Sequence, residues 1–452
     1  MTLSAETVRK ILAREKERFL EERPRSRSLL ERGRRSMPGG VPMSWMVFLY
    51  EHMPMFVAGG SGAYFTDVDG HRYLDMNQAD LSMSCGYGSE PVVRAVSERM
   101  KQGSQFLLPT EDAVAVAEEL ARRYGLAHWQ FTLSASTANI EVIRLARTET
   151  GRDTVLLFDG QYHGEINESL VELEDGEVRP GTAGLLGGAA ESTRIVQFND
   201  LEAVESVLAE GDVACVITEP ALTNIGVILP DDGFLSAVRE IAHRHGTLFV
   251  LDETHTQVCA YGGLTRAWGI ESDMIVLGKC LAGGVPIGAY GMSEEIGHHL
   301  RGAWQADPAG EDSGKGVATG GTLFGNALSL AAARATLEQV LTEETYARGA
   351  ALGGRLADGI ETAFRKADLT WSVQRLYCRS GYTFAPQLPR NALEARAAEN
   401  QQLRGLMRVY FANRGIWEAI SSAGPAASFP ATADDMDRYV AVLEEFLDEM
   451  TS

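Results

Sequence analysis

The stretch TLFVLDETHTQVCAYGGLTRAWGIESDMIVLGKCLAGG, Thr247–Gly284, holds two short apolar runs, and each ends in an ionisable residue. Leu248-Phe249-Val250-Leu251 leads into Asp252, and Met274-Ile275-Val276-Leu277-Gly278 leads into Lys279. Apolar runs of this length, with β-branched residues, read as strands buried on both faces of a parallel sheet. Ligands of open α/β sheets sit beyond the carboxyl ends of the strands. The spacing of the two runs suits one strand–crossover–strand unit, so Asp252 and Lys279 are expected to face one crevice. A carboxylate and an amine so placed suggest a cofactor clamp.

Outward from this stretch the pattern repeats. Residues 125 to 280 alternate between strand and helix signals, with strands expected at Gln130–Leu133, Thr154–Phe158, Thr193–Gln197, Ala214–Thr218, Thr247–Leu251 and Met274–Leu277. Helices fit between them at Ala138–Thr150, Leu201–Ala209 and Gly233–His245. Such alternation predicts an α/β fold, a mainly parallel sheet with helices on its faces. Residues 5–35 carry amphipathic helical spacing, and YFTDVDGHRYLD at Tyr64–Asp75 signals a hairpin turning at Asp69-Gly70. Further helices are expected at Glu90–Lys101, Glu111–Tyr124, Ala327–Leu341, Thr345–Ala367 and Ala433–Met450. Residues 302–321, rich in Gly, Ala and Asp, read as a long functional or mobile loop.

The 452 residues leave room for a large domain and a smaller one. With 41 Lys plus Arg against 62 Asp plus Glu, the net charge of −21 argues against a nucleic-acid partner. No apolar run approaches the roughly 18–20 residues of a membrane span, and the charged N-terminus has no signal-peptide core. A cytoplasmic protein without a membrane partner is expected. The basic run Arg23–Arg35 reads as a solvated face, with an anion patch as the alternative. Five scattered cysteines form no CxxC pair, which fits a reducing compartment and excludes a zinc ribbon; no metal is expected. Cys280, beside Lys279, reads as a small buried residue rather than a nucleophile.

Signatures of common dinucleotide, nucleotide and zinc enzymes are missing from the sequence, and GGSGAY at Gly59–Tyr64 opens a hairpin rather than a helix. What recurs is polar residues at strand ends. Ser134-Ala135-Ser136-Thr137 leads into a helix whose N-terminus either cradles a phosphate or carries a plain Ser/Thr cap. Tyr162-His163-Gly164 follows the second strand, Glu219-Pro220 the fourth, and Asp252 and Lys279 close the set.

These pieces stand in the order of a known family. DVDGHRYLD at 67–75, FTLSASTAN at 131–139, YHG at 162–164, EP at 219–220, LDE at 251–253, LGKCLAGGVPIGA at 277–289 and GGTLFGN at 320–326 resemble the class III aminotransferases. Those are fold-type-I enzymes that use pyridoxal 5′-phosphate (PLP), and the chain is most similar to their glutamate-1-semialdehyde-aminomutase-like branch. The resemblance implies an α/β fold-type-I transferase, a mainly parallel sheet with helices on both faces plus a smaller α+β domain. It implies an N-terminal helical segment at 1–65 packing with the small domain, a large PLP-binding domain at 66–330 and a C-terminal small domain at 331–452.

The resemblance also implies roles. Lys279 would be the Schiff-base lysine and proton carrier, and Asp252 the partner of the pyridine nitrogen. Ser134, Ala135 and Ser136 would hold the phosphate. Tyr162 would stack on the ring with His163 beside it, Thr254 would lie against the other ring face, and Glu219 would join the hydrogen-bond network. Thr322 would reach the phosphate of the neighbouring subunit, so a homodimer with shared active sites is implied. The implied activity is ping-pong transfer of an amino group between an amine or amino acid and a keto acid or ketone. An aminomutase or a racemase/epimerase is the alternative, and a cofactor-binding module without turnover is a third reading from another class.

The chain departs from the family pattern in places. Ala135 and Thr137 stand in a motif that commonly reads S-G-T-E-A, which restricts φ at 135 and removes an acid. Asp252-Glu253-Thr254-His255 puts polar groups where D-E-V is usual. The loop PGGVPMSWMVFLYEHMP, Pro38–Pro54, has no Arg or Lys, although several relatives carry there an arginine for a substrate carboxylate. Trp45 and Met43 are accordingly candidates for a pocket that takes an apolar group, unless they pack into the core. A carboxylate grip would then fall to Arg266, Arg301, Arg375 or Arg379.

Overall fold

The two runs that end in Asp252 and Lys279 are neighbouring parallel strands, with Val250 opposite Met274 and Asp252 opposite Val276. They lie inside a seven-stranded sheet in the computed structural model, which describes residues 5–305, 317–419 and 424–451. Along the chain the strands are β1 (Val57–Ser61), β2 (Tyr64–Asp67), β3 (Arg72–Asp75), β4 (His128–Thr132), β5 (Thr154–Phe158), β6 (Val171–Glu174), β7 (Glu177–Pro180) and β8 (Thr193–Val196). They continue with β9 (Val213–Thr218), β10 (Leu248–Asp252), β11 (Met274–Leu277), β12 (Gly288–Met292), β13 (Ser372–Leu376), β14 (Arg379–Thr383) and β15 (Ile416–Trp417).

Two units divide the chain. The second comprises Glu90–Glu344 with Arg390–Glu394, and its sheet has the order β4-β12-β11-β10-β9-β5-β8. Strands β11, β10, β9, β5 and β8 pair in parallel, whereas β12 runs antiparallel to both β11 and β4. Every residue of β5, β9, β11 and β12 is buried. That burial on two faces explains why three of these strands read as unbroken apolar runs. The fourth, β12, was not expected, because Gly-Ala-Tyr-Gly-Met carries no β-branched residue and two glycines. Those glycines are required by close packing. A Cβ on Gly288 would fall 2.2 Å from Ser134 O, and one on Gly291 2.6 Å from the Trp129 ring.

The helix Ala135–Thr150 covers the sheet with Ala138, Val142, Leu145 and Ala146, all buried. It starts three residues earlier than its apolar spacing suggested, because Ser134 caps it. A tight hairpin of β6 and β7, also unexpected, and the helices Leu201–Leu208 and Phe234–Arg244 complete the crossovers. Residues 306–316 of the Gly-, Ala- and Asp-rich loop lie outside the described residues.

The first unit comprises Met1–Ser89, Thr345–Pro389 and Ala395–Ser452. Residues 66–89 thus group with it, and residues 331–344 with the second unit. Its sheet has the order β1-β2-β3-β15, and β2 and β3 form the hairpin turning at Asp69-Gly70, with Gly70 at φ +99°. Its core gathers Leu74, Leu356, Ile360, Phe364, Phe411, Tyr439 and Phe446. The basic run is not wholly solvated. Arg23 is buried, donating to Tyr73 Oη at 2.9 Å and to Phe19 O at 3.1 Å, while Arg25, Arg27, Arg32, Arg34 and Arg35 are exposed. Among the described residues no helix is long and apolar enough to cross a membrane, and no cluster of His, Cys, Asp and Glu could hold a metal ion.

Candidate active site

Five parallel strands deliver their polar ends to one edge of the second unit's sheet, as the rule for ligand sites in open α/β sheets requires. Asp252, the last residue of β10, is buried, and both of its oxygens accept hydrogen bonds. Oδ2 accepts from His163 Nδ1 at 2.8 Å and Asn139 Nδ2 at 3.0 Å, and Oδ1 accepts from the Thr254 amide at 3.0 Å. Burial pushes the carboxyl upward, but these donors outweigh it and hold Asp252 down at about 2. The group is therefore a fixed anion at neutral pH.

His163 is held in turn. Turned so that its amide nitrogen faces His163 Nε2 at 2.8 Å and Ile217 O at 3.3 Å, Gln161 accepts with its oxygen from the Glu219 amide at 3.0 Å and Thr218 Oγ1 at 2.7 Å. This orientation satisfies all four contacts. It assigns the imidazole proton to Nδ1, which donates it to Asp252. Neither Gln161 nor Asn139 was assigned a role from sequence, although Asn139 closes the quoted motif at 131–139.

Ser134 is the N-cap of helix Ala135–Thr150, with Oγ accepting from the Thr137 amide at 3.2 Å. Thr137 returns the contact, its Oγ1 accepting from the Ser134 amide at 3.1 Å. The threonine thus fills the capping-box position of the missing acid. Ala135 is the first helical residue, so the worry that alanine restricts φ does not apply there. The first-turn amides of Ala135 and Ser136 have no intrahelical acceptor and form the positive end of a 16-residue helix. Glycines crowd this turn: a Cβ on Gly164 would fall 2.1 Å from Ser136 Oγ, and one on Gly278 2.9 Å from the Ala135 Cβ. The plain-cap reading is realised here, and capping consumes only the Thr137 amide, which leaves the Ala135 and Ser136 amides without an intrahelical partner.

Gly278 precedes Lys279, so that contact sets the lysine backbone beside the helix N-terminus. Lys279 takes a left-handed φ of +46°, uncommon for a residue with a side chain, and is half-buried. Gln257 Nε2 donates to Gly278 O at 2.9 Å and fixes the turn from the other side. Cys280 is buried, as expected.

Glu219 is buried in a second polar group, accepting from Thr223 Oγ1 at 2.6 Å and Asn224 Nδ2 at 2.9 Å. His255 Nδ1 lies 2.8 Å from Thr223 Oγ1. Because the Thr223 proton goes to Glu219, its oxygen accepts from His255. Thr254 Oγ1 and Asn139 Oδ1, both on residues that donate to Asp252, are buried without a hydrogen-bond partner among the described residues. Tyr162 is half-buried in the turn before His163. Thr322 stands apart, exposed in the turn before helix Ala327–Gln339, with its carbonyl accepting from the Gln105 amide. In the first unit, Met43, Met46, Val47 and Phe48 are exposed and Trp45 is half-buried, so this part of the loop stays out of the core, whereas Val41 is buried and Met53 packs on the cluster around Phe19.

The profile of the family Aminotransferase class-III matches residues 48–410. A glutamate-1-semialdehyde 2,1-aminomutase from Methanothrix thermoacetophila is 34% identical over 391 residues, covering 85% of this chain and 87% of that protein. The crystal structure of a glutamate-1-semialdehyde-aminomutase from Pseudomonas aeruginosa PAO1 superposes with a TM-score of 0.93 at 36% identity, covering all of both chains, and a variant of that enzyme has been solved in complex with PMP. An omega-transaminase from Sphaerobacter thermophilus gives a TM-score of 0.85 at 27% identity, over 94% of this chain and 98% of that one.

Proposed function

The chain belongs to the class-III aminotransferase family, and on that premise we propose that it moves amino groups with PLP as cofactor. The observation that carries the chemistry is the pairing at adjacent strand ends of an ionised, donor-locked Asp252 with Lys279. The donor set fits the cofactor. The Ala135 and Ser136 amides with the Ser134 and Ser136 hydroxyls suit its phosphate, Asp252 its ring nitrogen, Lys279 its aldehyde and Tyr162 its ring face. The partnerless Thr254 Oγ1 and Asn139 Oδ1 are what a site missing a polar ligand leaves behind. When bound, PLP supplies an aldehyde that condenses with amines and a ring that takes up the electron pair released at the substrate carbon.

The protein's own part is proton management. Asp252, kept anionic by His163, Asn139 and Thr254, holds a proton at the ring nitrogen. Lys279 takes a proton from one carbon and returns it to another. Gln161, with its amide nitrogen towards His163 Nε2, orients the ring so that Nδ1 faces Asp252.

The named relatives support the aminomutase form, in which the amino group returns to the same substrate, ahead of the transaminase placed first from sequence. The second reading, transfer between two substrates, is favoured by the cation-free loop Pro38–Pro54 and by the omega-transaminase likeness. On that reading Trp45 and Met43 recognise an apolar substrate group. Two measurements test the proposal. Borohydride reduction of the holoenzyme should fix the cofactor on Lys279 in a peptide map; a label elsewhere overturns the assignment. Turnover of a single amino substrate without added keto acid supports the mutase form, and an absolute keto-acid requirement supports the transaminase.

A homodimer with Thr322 contributed across its interface accompanies this reading. Thr322 sits beside an apolar surface of Phe106, Leu107, Leu108, Val114 and Leu323, all exposed, around a groove of about 540 Å³. Apolar patches of this kind mark association surfaces. Light scattering checks it, and a monomer that retains full turnover removes Thr322 from the site.

A further inference from the structure

Of the four arginines that the sequence left as candidates for a carboxylate, three are exposed and engaged at the surface. Arg375 pairs with Asp358 and Glu361 at 2.8 and 2.9 Å, Arg266 lies over the Tyr261 ring, and Arg301 lies beside His128. Arg379, in β14, differs. It is 4% exposed, and its Nε and Nη1 have no hydrogen-bond partner among the described residues.

The other buried arginines show what this chain does with such a group. Arg23 donates to Tyr73 and Phe19, Arg123 to Glu119, Leu337 O and Leu341 O, and Arg404 pairs with Glu399 while stacking on Tyr382 and Phe384. Glu51 Oε2 in the first unit is buried without a hydrogen-bond partner among the described residues, but four other buried carboxylates there are committed elsewhere. Asp67 is taken by Tyr73 and His71, Asp75 by Tyr87 and Gln78, Glu15 by Asn413, and Glu418 by Tyr439. A guanidinium withdrawn from water without donors satisfied is costly, so a compensating acceptor is expected.

A second unsatisfied group lies on the same side. Arg379 is bridged to Ala426 in antiparallel fashion, with Ser380 N donating to Pro425 O at 3.0 Å and Ala427 N to Cys378 O at 2.8 Å on either side. Side chains alternate along an extended chain, so Ser428, two residues past Ala426, projects to the face that carries Arg379. Ser428 Oγ is buried and also has no hydrogen-bond partner among the described residues. Ala426 between them contributes only a methyl group.

We propose that Arg379 and Ser428 form a carboxylate-binding site in the first unit. The planar fork of a guanidinium matches a carboxylate in shape and in charge, and one hydroxyl adds a third donor. Naming the ligand as the carboxylate of an amino or keto acid rests on the amino-group-transfer reading; the anion site itself does not.

Calorimetric titration of the full-length holoenzyme with succinate and with 3-phenylpropionate tests it, since neither carries an amino or keto group to react. Inorganic phosphate is the third titrant. The expected result is binding of at least one carboxylate, weakened about tenfold or more in Arg379→Met and about threefold in Ser428→Ala. Arg379→Met should also melt no lower than the parent without ligand, because it removes an uncompensated charge. Carboxylate affinity unchanged in both variants, no carboxylate binding by the parent, or tighter binding of phosphate each overturns the proposal. If Arg379→Met does not fold, Ser428→Ala and Arg379→Lys decide through affinity alone. Cofactor absorbance, recorded on the same samples, reports separately whether the PLP reading fails.

Discussion

Asp252 and Arg379 are both buried charges at strands, one in each unit, and the protein treats them in opposite ways. Asp252 receives three hydrogen bonds from His163, Asn139 and the Thr254 amide, and its charge is settled by folding alone. Arg379 is as deeply buried but has two nitrogens with no hydrogen-bond acceptor among the described residues. The difference separates an electrostatic device completed during folding from one that is complete only with a ligand. Mutations should therefore have opposite signatures: losing a partner of Asp252 costs stability and activity together, while losing Arg379 costs affinity only.

The sharpest break in the comparison is Lys279→Ala. Turnover should fall by about 10³-fold or more, at the upper end for one acid–base group, and borohydride should leave no cofactor on the chain. Asp252→Asn keeps the shape and removes the charge. Turnover should drop by about 10²–10³-fold, the scale of one preorganised electrostatic contact, while the variant still folds; near-parental turnover would remove Asp252 from its role. His163→Phe tests the support of the charge. The folded Asp252 sits at about 2, below an unfolded value of about 3.9. Its contribution to stability is thus present above pH ~4 and lost as pH falls towards 2. Removing the His163 donor raises the folded value towards the unfolded one, so the variant should be less stable than the parent at neutral pH and should lose less stability between pH ~4 and ~2 in acid titrations followed by circular dichroism. The smallest effect is expected from Ser134→Ala, which removes a helix cap. It should cost about 1 kcal/mol and lower the melting temperature by about 2–4 °C, with cofactor affinity falling alongside.

The second unit's sheet was legible because burial on both faces leaves a sequence no choice but unbroken apolar residues, and β5 and β11 have the expected bounds. Strand β12 was not legible: its residues are chosen for closeness to Ser134 and Trp129, which favours glycine and erases the strand signal. The ends Asp252, Lys279, Glu219 and Ser134 could be read because an ionisable or hydroxyl residue right after an apolar run stands out. Gln161, Asn139, Gln257 and Thr223 could not, since an amide or hydroxyl reveals its role only through the partner it faces, and nothing in the order of residues marks that partner, whether four positions off, as Glu219 is from Thr223, or more than twenty, as Gly278 is from Gln257. Thr137 misled for a related reason. Its departure from an acidic residue looked like a loss, yet its hydroxyl closes the same capping box. Arg379 was one name among four until burial separated it.

The glycine-crowded turn at Ser134–Thr137 bears on how the holoenzyme assembles. Gly164, Gly278 and Gly288 press against that turn from three segments of the second unit, and Gln257 ties down Gly278. Helix cap, lysine turn and sheet edge are thus held together by the chain's own contacts. Chain refolded without cofactor should regain a competent site. Reconstitution would then proceed at a rate linear in added PLP, rather than reach a plateau set by a slow rearrangement of the protein.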